Sequence, residues 1–402
     1  MLIIMILWLA LVLAGFIWAY MLLGHGQFWR ADQRLDKAHP TPHKLRKRGD
    51  DYPTVIALVP ARNEADVIAK SVQSLQAQNY PGSLSIVVAD DASEDGTGDV
   101  VRSLPKDARS LDVVQGTGPE AGWSGKLFAL EQARRAAMSK HGAPDYWWLV
   151  DADIAHDRKA LTRLVAQAQG EGADLVSTMV RLRDEGFWPG LMIPAFVFFF
   201  QMLYPFRWIN RPEHSMAGAA GGCVLVRAEM LERVGGFASY RDALIDDCTL
   251  AKRVQEAGGS LWLGLSQSQQ SIRPYQGLGE IWRMVRRSAF TQLQYSTLQL
   301  IGSCLGMVLV FMVAPLAAIT GLLTAQWGLM LTGMVVWGMM AAAYMPMLTW
   351  FGRSRLAAFL LPGVAFFYTL MTLDSARRHW LGQGGTWKGR HQAGKQQLVG
   401  QK

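Results

Sequence analysis

The feature that most constrains this chain is a stretch of 65 residues, 288–352, that contains no Asp, Glu, Lys or Arg. Residues 1–29 form a second charge-free stretch, and residues 356–373 form a shorter apolar run. About 20 apolar residues suffice to cross a bilayer as a helix, so the longest stretch has room for two spans with a turn near Gln326 and Trp327. The sequence therefore predicts a membrane protein.

The composition agrees with this prediction. Half of the 402 residues are hydrophobic and only 18% are charged, whereas a soluble domain carries about 25%. The three cysteines, Cys223, Cys248 and Cys304, lie far apart and match no zinc or redox spacing. These numbers exclude an intrinsically disordered chain and a disulfide scaffold, and they argue against a wholly soluble enzyme.

The apolar N-terminus has no basic n-region and no small-residue cleavage site, so we interpret it as a retained anchor rather than a cleaved signal peptide. We expect five parts along the chain. They are an N-terminal transmembrane anchor (1–24), a basic linker (25–50), an α/β domain (51–290), C-terminal membrane segments (296–373) and a basic tail (374–402).

The flanking charges predict an orientation. Seven Lys and Arg lie in residues 24–50 against three acids: Arg30, Arg34, Lys37, Lys44, Arg46, Lys47 and Arg48. The positive-inside rule places this side in the cytoplasm, which implies a multi-pass protein of the inner (cytoplasmic) membrane with its α/β domain facing the cytoplasm. Because the basic residues flank membrane segments and no nucleic-acid motif is present, we exclude a nucleic-acid partner.

The tail conflicts with a simple count of spans. After Asp374 it holds six Lys and Arg and no acid, so it too should be cytoplasmic. One N-terminal span and three later spans would place it outside. We therefore expect one late segment to be re-entrant or interfacial.

Residues 50–185 have the pattern of an α/β domain. Short β-rich runs alternate with helical stretches, which predicts a mostly parallel sheet with ligand loops at the carboxyl ends of its strands. The predicted strands are Thr54–Val59, Ser85–Ala89, Tyr146–Val150 and Leu175–Met179.

Acidic motifs follow three of these strands. The first strand runs into Pro60-Ala-Arg-Asn-Glu64, the second into Asp90-Asp91, and the apolar strand 146–150 into Asp151-Ala-Asp153. Carboxylates at positions i and i+2 of an extended chain point the same way and can hold a hard divalent cation, Mg²⁺ or Mn²⁺. The first two motifs also have a structural interpretation as a helix cap or a strand-to-helix turn, and a D-x-D alone is common by chance.

Together these motifs resemble the family 2 glycosyltransferases, whose catalytic domain has the Rossmann-like, nucleotide-sugar-binding GT-A fold. The resemblance covers roughly residues 50–290 and includes Gly125-Lys126 and Ile245-Asp-Asp-Cys-Thr-Leu250. It implies an enzyme with a nucleotide-sugar donor. By this resemblance Ala61, Arg62, Glu64, Asp91, Lys126 and Asp151 would bind the nucleotide, Asp153 and Asp151 would bind the metal, and Asp247, with Asp246 beside it, would be the catalytic base.

The chemistry of an inverting transfer needs the same groups. A divalent cation stabilises a departing diphosphate, and a carboxylate on the opposite face takes the proton of the acceptor hydroxyl. Like-charge repulsion between Asp246 and Asp247 would raise one pKa, as suits a base. The structural alternative is that these acids favour a helix N-terminus.

One element departs from the family pattern. The processive members carry a (Q/R)-x-x-R-W box, where this chain has Arg283-Met-Val-Arg286-Arg287. Arg283 and Arg286 remain possible phosphate contacts, but the missing Trp argues against a long-polymer synthase. A basic helix beside the membrane is the alternative.

Residues 187–208 are rich in aromatic side chains and are interrupted by Pro189, Pro194 and Pro205, so a clean membrane span is not expected. An interfacial segment there would offer an apolar path for a lipid acceptor. A buried core helix is the alternative.

A narrower resemblance extends over nearly the whole chain. Residues 191–206, 219–226, 243–248 and 273–275 look like the hopene-associated glycosyltransferases of bacterial hopanoid gene clusters, and Thr386-Trp-Lys-Gly-Arg390 resembles an element of related membrane transferases. The resemblance implies a lipid acceptor, with a hopanoid as the candidate. The alternatives are transfer to a polyprenyl carrier and a catalytically silent GT-A scaffold. A transporter is disfavoured because residues 288–352 contain no intramembrane charge.

Overall fold

The computed structural model describes residues 2–36, 44–47, 49, 51–105, 109–382, 386–387 and 390–391. Lys37 and Arg48 of the basic linker, and Lys388 and Gly389 of the tail element, lie outside the described residues. The chain divides into two compact units. The sheet unit comprises residues 32–183, 208–274 and 385–402, and the helical unit comprises residues 1–31, 184–207 and 275–384.

The described part of the sheet unit contains an eight-stranded mixed sheet in the order β3-β2-β1-β4-β7-β6-β8-β5. Its strands are β1 (Val55–Ala61), β2 (Leu84–Asp90), β3 (Ser110–Gln115), β4 (Tyr146–Val150), β5 (Ile154–His156), β6 (Leu175–Arg181), β7 (Cys223–Arg227) and β8 (Leu261–Ser271). A two-stranded ribbon, β9 (Thr386–Trp387) and β10 (Arg390–His391), lies apart from this sheet.

The four predicted strands are present, but the sheet is less parallel than expected. β1 pairs in parallel with β2 and β4, and all three are buried along their length, as apolar central strands should be. β7, however, enters antiparallel between β4 and β6, and β5 pairs antiparallel with β8. The alternation of strands and helices in the sequence identifies elements, but it does not reveal the direction in which a later strand enters the sheet.

The helices of the sheet unit cover the faces of this sheet. They are α2 (Ile68–Gln76), α3 (Thr97–Arg102), α4 (Gly125–His141), α5 (Ala160–Glu171), α8 (Ala228–Arg233) and α9 (Asp246–Glu256). A short α7 (Phe206–Ile209) precedes β7. Because β1, β2 and β4 are parallel, the segments after Ala61, Asp90 and Val150 meet at one edge of the sheet.

The described part of the helical unit contains four helices that are long and apolar enough to cross a membrane: Leu2–Leu23, Thr297–Leu323, Trp327–Trp350 and Arg355–Trp380. We label its helices α1 (Leu2–Leu23), α6 (Phe187–Leu203), α10 (Leu278–Gln292), α11 (Thr297–Met307), α12 (Val313–Leu323), α13 (Trp327–Trp350) and α14 (Leu361–Trp380). A π-helical turn, Val308–Met312, joins α11 to α12, and a 3₁₀ helix, Arg355–Leu360, precedes α14.

Small residues set the packing of these helices. α12 and α13 form an antiparallel hairpin in which a β-carbon on Gly333 would lie 2.6 Å from the Ala318 backbone nitrogen. Their turn, residues 324–326, lies at the position that the sequence predicts. α1 runs parallel to α13, with Gly15 against Val336 and Gly328 against Trp8. Glycine at such contacts lets backbones approach closely, as is typical of membrane helices.

The aromatic segment forms the single helix α6, and Pro194 lies inside it. Most of its residues are buried, and Phe198 and Phe199 pack on Phe28, Phe311, Tyr344 and Tyr368 of the helical unit. These contacts favour the buried-helix interpretation of residues 187–203. The segment also groups with the apolar helices, whereas the sequence analysis placed it within the α/β domain.

Candidate active site

The loops after β1 and β2 are bound to each other. The Asp91 amide donates to Ala61 O (2.8 Å), and the Arg62 guanidinium donates to the carbonyls of Asp91 (2.7 Å) and Ala92 (3.0 Å). Asn63 and Ala92 adopt positive φ angles of 51° and 49°, which are uncommon for residues other than glycine. Such conformations persist where the surroundings hold them, and they occur often at ligand sites.

Two glycines keep the second loop close to its neighbours. A β-carbon on Gly98 would collide with the Asp90 carboxylate, and one on Gly116 would lie 2.9 Å from Asp90 O. The fully buried Asp91 therefore lies in a tightly enclosed loop beside Arg62 and Ala61. Three predicted nucleotide-binding residues are thus brought together.

Lys126 lies at the centre of the predicted catalytic residues. The Ser124 hydroxyl caps α4 and accepts from the Leu127 amide, which places Lys126 in the first turn of the helix. Its Nζ is 3.0 Å from Asp151 Oδ1 and 3.1 Å from Asp246 Oδ2. One ammonium group therefore joins the D-x-D motif to the Asp246–Asp247 pair.

The neighbouring carboxylates keep Lys126 in its protonated, positively charged form. Burial disfavours the charged ammonium, but the carboxylates of Asp151, Asp246 and Asp247 outweigh burial and raise the Lys126 pKa well above its ordinary value. These three carboxylates and Lys126 line one small cavity of about 20 Å³, together with Gly221 and Tyr240. Space of this size holds about one water molecule, so Lys126 fills most of the gap between the carboxylates.

Asp247 is the carboxylate best suited to accept a proton. Its pKa is raised to about 7, first by burial and then by the charge of Asp246, and the nearby Lys126 opposes this rise. Asp247 Oδ1 accepts from the Cys248 amide (2.8 Å), whereas Oδ2 faces Gly221, on which a β-carbon would lie 3.0 Å from it. Because α9 begins at Asp246, both acids also lie in the first turn of a helix, where the helix dipole favours negative charge.

Asp153 is the more enclosed carboxylate of the D-x-D motif. Its pKa is raised to about 6 by burial and by the charges of Asp151 and Glu64, against the opposing charge of Arg273. The Ile272 amide donates to Asp153 O (2.7 Å), so the end of β8 holds the turn that carries the motif.

The donor set at this motif fits a hard divalent cation. A bound cation would relieve the repulsion that raises the Asp153 pKa. No group of three or more His, Cys, Asp or Glu side chains among the described residues could hold a metal by itself. Mg²⁺ is usually held by one or two carboxylates together with waters and substrate phosphates, so Asp153 and Asp151 match that mode of binding.

Arg273, which was not among the predicted site residues, is bound to the loop after β1. Its guanidinium bonds Glu64 (2.7 Å) and both carboxylate oxygens of Asp66 (2.8 and 3.0 Å). Arg273 lies directly after Ile272, so one short segment contacts both the D-x-D turn and the loop of Glu64. The sequence around Arg273 is polar and does not predict the contacts with Glu64 and Asp66.

Arg283 and Arg286 lie in the helical unit, where each forms an ion pair within that unit. Arg286 Nη1 lies 3.4 Å from Asp374 Oδ2, and Arg283 Nη2 lies 3.7 Å from Glu280 Oε1. The Trp282 indole also donates to Asp374 (2.9 Å). The contacts of Arg286 and Trp282 with Asp374 fasten α10 to α14, whereas the Arg283 pair lies within α10. Both arginines match the alternative of a basic helix more closely than a phosphate site.

Comparisons with known proteins identify the class of enzyme. The family model described as glycosyl transferase family 21 matches residues 7–392. A β-monoglucosyldiacylglycerol synthase of Trichormus variabilis is 26% identical over 226 residues, which cover 54% of this chain and 44% of that protein. Glycosyltransferase AglE of Haloferax volcanii is 26% identical over 125 residues, which cover 31% of this chain and 38% of that protein. The chain thus spans less than half the length of these two curated relatives.

A solved structure shares the fold. The mannosyltransferase PcManGT from Pyrobaculum calidifontis, in complex with GDP-Man and Mn²⁺, aligns with a TM-score of 0.52 and 20% identity over 93% of this chain and 98% of that one. The predicted GT-A fold is therefore confirmed.

Proposed function

Because the chain belongs to glycosyl transferase family 21 and is a glycosyltransferase, we propose that it transfers a sugar from a nucleotide-sugar donor to a hydroxyl group of a membrane lipid, with inversion. The observation that carries this proposal is the bridge that Lys126 makes from Asp151 to Asp246. This bridge holds Asp151, proposed to act on the donor diphosphate, close to the Asp246–Asp247 pair, proposed to act on the acceptor hydroxyl.

Each residue has a role in this reaction. Arg62 and Asp91 shape the loop that holds the nucleoside, and Asp153 and Asp151 are the residues that would hold Mg²⁺ or Mn²⁺. A bound divalent cation supplies positive charge for the departing diphosphate. Lys126 adds a second, permanent positive charge beside the same carboxylates.

Asp247 acts on the acceptor. Its Oδ2 takes the proton of the lipid hydroxyl while that oxygen bonds to the anomeric carbon and the bond from this carbon to the diphosphate breaks. We assign Oδ2 because Oδ1 already accepts from the Cys248 amide. Gly221 has no side chain to cover Oδ2.

A lipid acceptor is supported by the apolar helices and by a relative named for the synthesis of a glucosyldiacylglycerol. The narrower candidate is a hopanoid, from the resemblance in residues 191–206 and 219–226. Purified protein would be incubated with Mn²⁺, radiolabelled UDP-sugars or GDP-mannose and a total lipid extract, with Asp247→Asn as the control. A labelled hopanoid supports the narrow candidate, and another labelled lipid, such as a polyprenyl carrier, replaces it. No labelled lipid with any donor would favour a silent scaffold and overturn the proposal.

The contacts of the helical unit support a topology. The Arg355 guanidinium donates to Thr349 Oγ1 (3.2 Å), and the Trp337 indole donates to Phe359 O (3.2 Å). Between residues 355 and 359 the chain therefore runs back along α13, toward its start. α14 then returns, because Ala376 packs with Phe290 and with Leu300 at the beginning of α11.

We therefore propose that residues 355–380 are re-entrant and do not cross the bilayer. α11 begins, and α13 ends, at the same end of the antiparallel bundle, and α14 also ends there. Arg353, Arg377 and Arg378 lie at this end, whereas the turn 324–326 carries no charge. This topology places the linker and the tail on the cytoplasmic side of the inner membrane, as the positive-inside rule requires.

Reporter fusions test this topology. Alkaline phosphatase fused after Gly382 should be inactive, and the same enzyme fused after Gln326 should be active in the periplasm. An active fusion after Gly382 would mean that residues 355–380 cross the membrane.

A further inference from the structure

A second pocket lies in the sheet unit, away from the candidate active site. It has a volume of about 280 Å³ and is lined by Arg46, Lys47, Pro53, Asp145, Tyr146, Gln169 and Arg227. Tyr146 begins β4, whose other end leads to Asp151. Five residues of strand, at about 3.3 Å each, separate these positions by about 16 Å. The pocket is therefore distinct from the donor site.

Positive charge dominates the lining. Three of its seven residues are cationic, and its one acid is Asp145. Asp145 Oδ2 already accepts from the amide (2.8 Å) and the hydroxyl (3.0 Å) of Thr54. The Asp145 carboxylate therefore stabilises the backbone at Thr54, just before β1.

Two of the cations are held over aromatic rings. The Arg227 guanidinium lies 5.4 Å from the centre of the Tyr146 ring, and Lys47 Nζ lies 5.7 Å from the centre of the Tyr52 ring. Arg227 Nε pairs with Asp174 Oδ1 (3.1 Å). Cation–π contacts of this kind restrain the charges without neutralising them.

The third cation is fixed through its backbone. The Gln169 side chain accepts from the Arg46 amide (2.8 Å) and donates to the Arg46 carbonyl (2.9 Å). These two bonds pin residues 44–47 to the end of α5 and leave the Arg46 side chain exposed. The linker therefore contributes two cations to a pocket whose other lining residues come from the α/β domain.

We propose that this pocket binds a phosphate group. Two guanidinium groups and one ammonium group around one opening match a multiply charged oxyanion, and Arg suits phosphate because its planar fork donates two hydrogen bonds. The phosphate belongs either to a soluble molecule or to the headgroup of an anionic lipid. Its binding would hold residues 44–47 against the rest of the sheet unit.

The test measures binding of inorganic phosphate to the full chain in nanodiscs of neutral phosphatidylcholine, with EDTA present. Arg46→Gln with Lys47→Gln removes two exposed cations and keeps the backbone bonds to Gln169, so folding should be unaffected. We expect this double variant to bind phosphate at least about tenfold more weakly, since hydrogen bonds to charged groups are the strong ones. Lys159→Gln, which removes one exposed charge elsewhere, should match the wild type.

Three outcomes separate the possibilities. Equal affinity in the wild type and the double variant, or an equal loss in Lys159→Gln, would overturn the proposal. If it holds, nanodiscs that contain phosphatidic acid identify the source. Weaker phosphate binding by the wild type in these discs indicates a lipid headgroup, and unchanged binding indicates a soluble phosphate.

Discussion

Two charged clusters of this molecule have opposite compositions. In the sheet unit, Lys126 lies among the carboxylates of Asp151, Asp246 and Asp247. In the helical unit, Asp374 lies among Arg286, Arg377 and the indole of Trp282. In the Lys126 cluster three carboxylates face one cation, so the cluster carries excess negative charge. In the Asp374 cluster a single carboxylate is surrounded by hydrogen-bond donors.

This difference separates a reactive cluster from a fastening one. Burial, and after it the negative charge of Asp246, raises the pKa of Asp247 to about 7, so this carboxylate can take a proton near neutral pH. The Asp374 cluster joins α10 to α14 and leaves no carboxylate oxygen without a donor. We therefore expect substitutions in the first cluster to change catalysis and substitutions in the second to change stability alone.

The largest effect should come from Asp247→Asn. The amide is nearly isosteric but does not accept the acceptor's proton, so the transfer rate should fall by about 10²–10⁴ while UDP affinity is kept. Transfer rate and UDP affinity are measured side by side, with Asp246→Asn as the matched control, which should be milder. Loss of transfer in Asp246→Asn alone would move the base by one residue, and loss of UDP binding in both would assign the pair to the donor site.

Asp153→Asn should act on the donor instead. Removing this charge should weaken Mn²⁺-dependent UDP binding by at least about tenfold, because a charge-assisted contact is lost. Calorimetry with and without Mn²⁺ measures the effect. Unchanged Mn²⁺-dependent affinity would exclude Asp153 as a metal ligand.

The pH dependence of transfer should reflect the raised pKa of Asp247. A base acts only when deprotonated, so the rate should fall about tenfold per pH unit below pH 7 and level off above it. The residual activity of Asp247→Asn should not show this fall in rate below pH 7. If the rate of Asp247→Asn still falls below pH 7, the titrating group is a different residue.

The same shift predicts a change in stability. The folded-state pKa of Asp247 lies above its ordinary value, so folding binds a proton, and the free energy of unfolding falls as the pH rises from about 4 to 7. Asp247→Asn removes the repulsion with Asp246. The variant should therefore have a higher melting temperature than the wild type at pH 8, and a lower one would contradict this account.

Much of the sheet edge could be predicted from local sequence. Tyr146–Val150 is a run of apolar residues between polar neighbours, and the observed strand has the predicted bounds. The position of Asp151 and Asp153 follows from the end of that strand. β3, by contrast, is a partly exposed edge strand, and β8 is polar in its second half, so neither has a clear apolar pattern.

Contacts between distant residues could not be predicted in this way. The bridge from Lys126 to Asp246 depends on how α4 and α9 pack, and the bond from Arg273 to Glu64 depends on the path of β8. The sequence showed that the tail's charge conflicted with four crossings. The proposed re-entrant path rests on the contacts of Arg355 and Phe359 with α13, which join residues that are distant in the sequence.

The smallest predicted effect tests the fastening cluster. Arg286→Gln removes a partly exposed ion pair with Asp374, which should lower the free energy of unfolding by about 1 kcal/mol and leave the KM for the donor unchanged. Arg283→Gln is the matched control, because its pair with Glu280 is more exposed and should contribute less. Thermal unfolding in detergent and donor kinetics measure both quantities. A higher donor KM in Arg286→Gln with an unchanged melting temperature would instead show that Arg286 holds a phosphate, and the contrast between the two clusters would then fail.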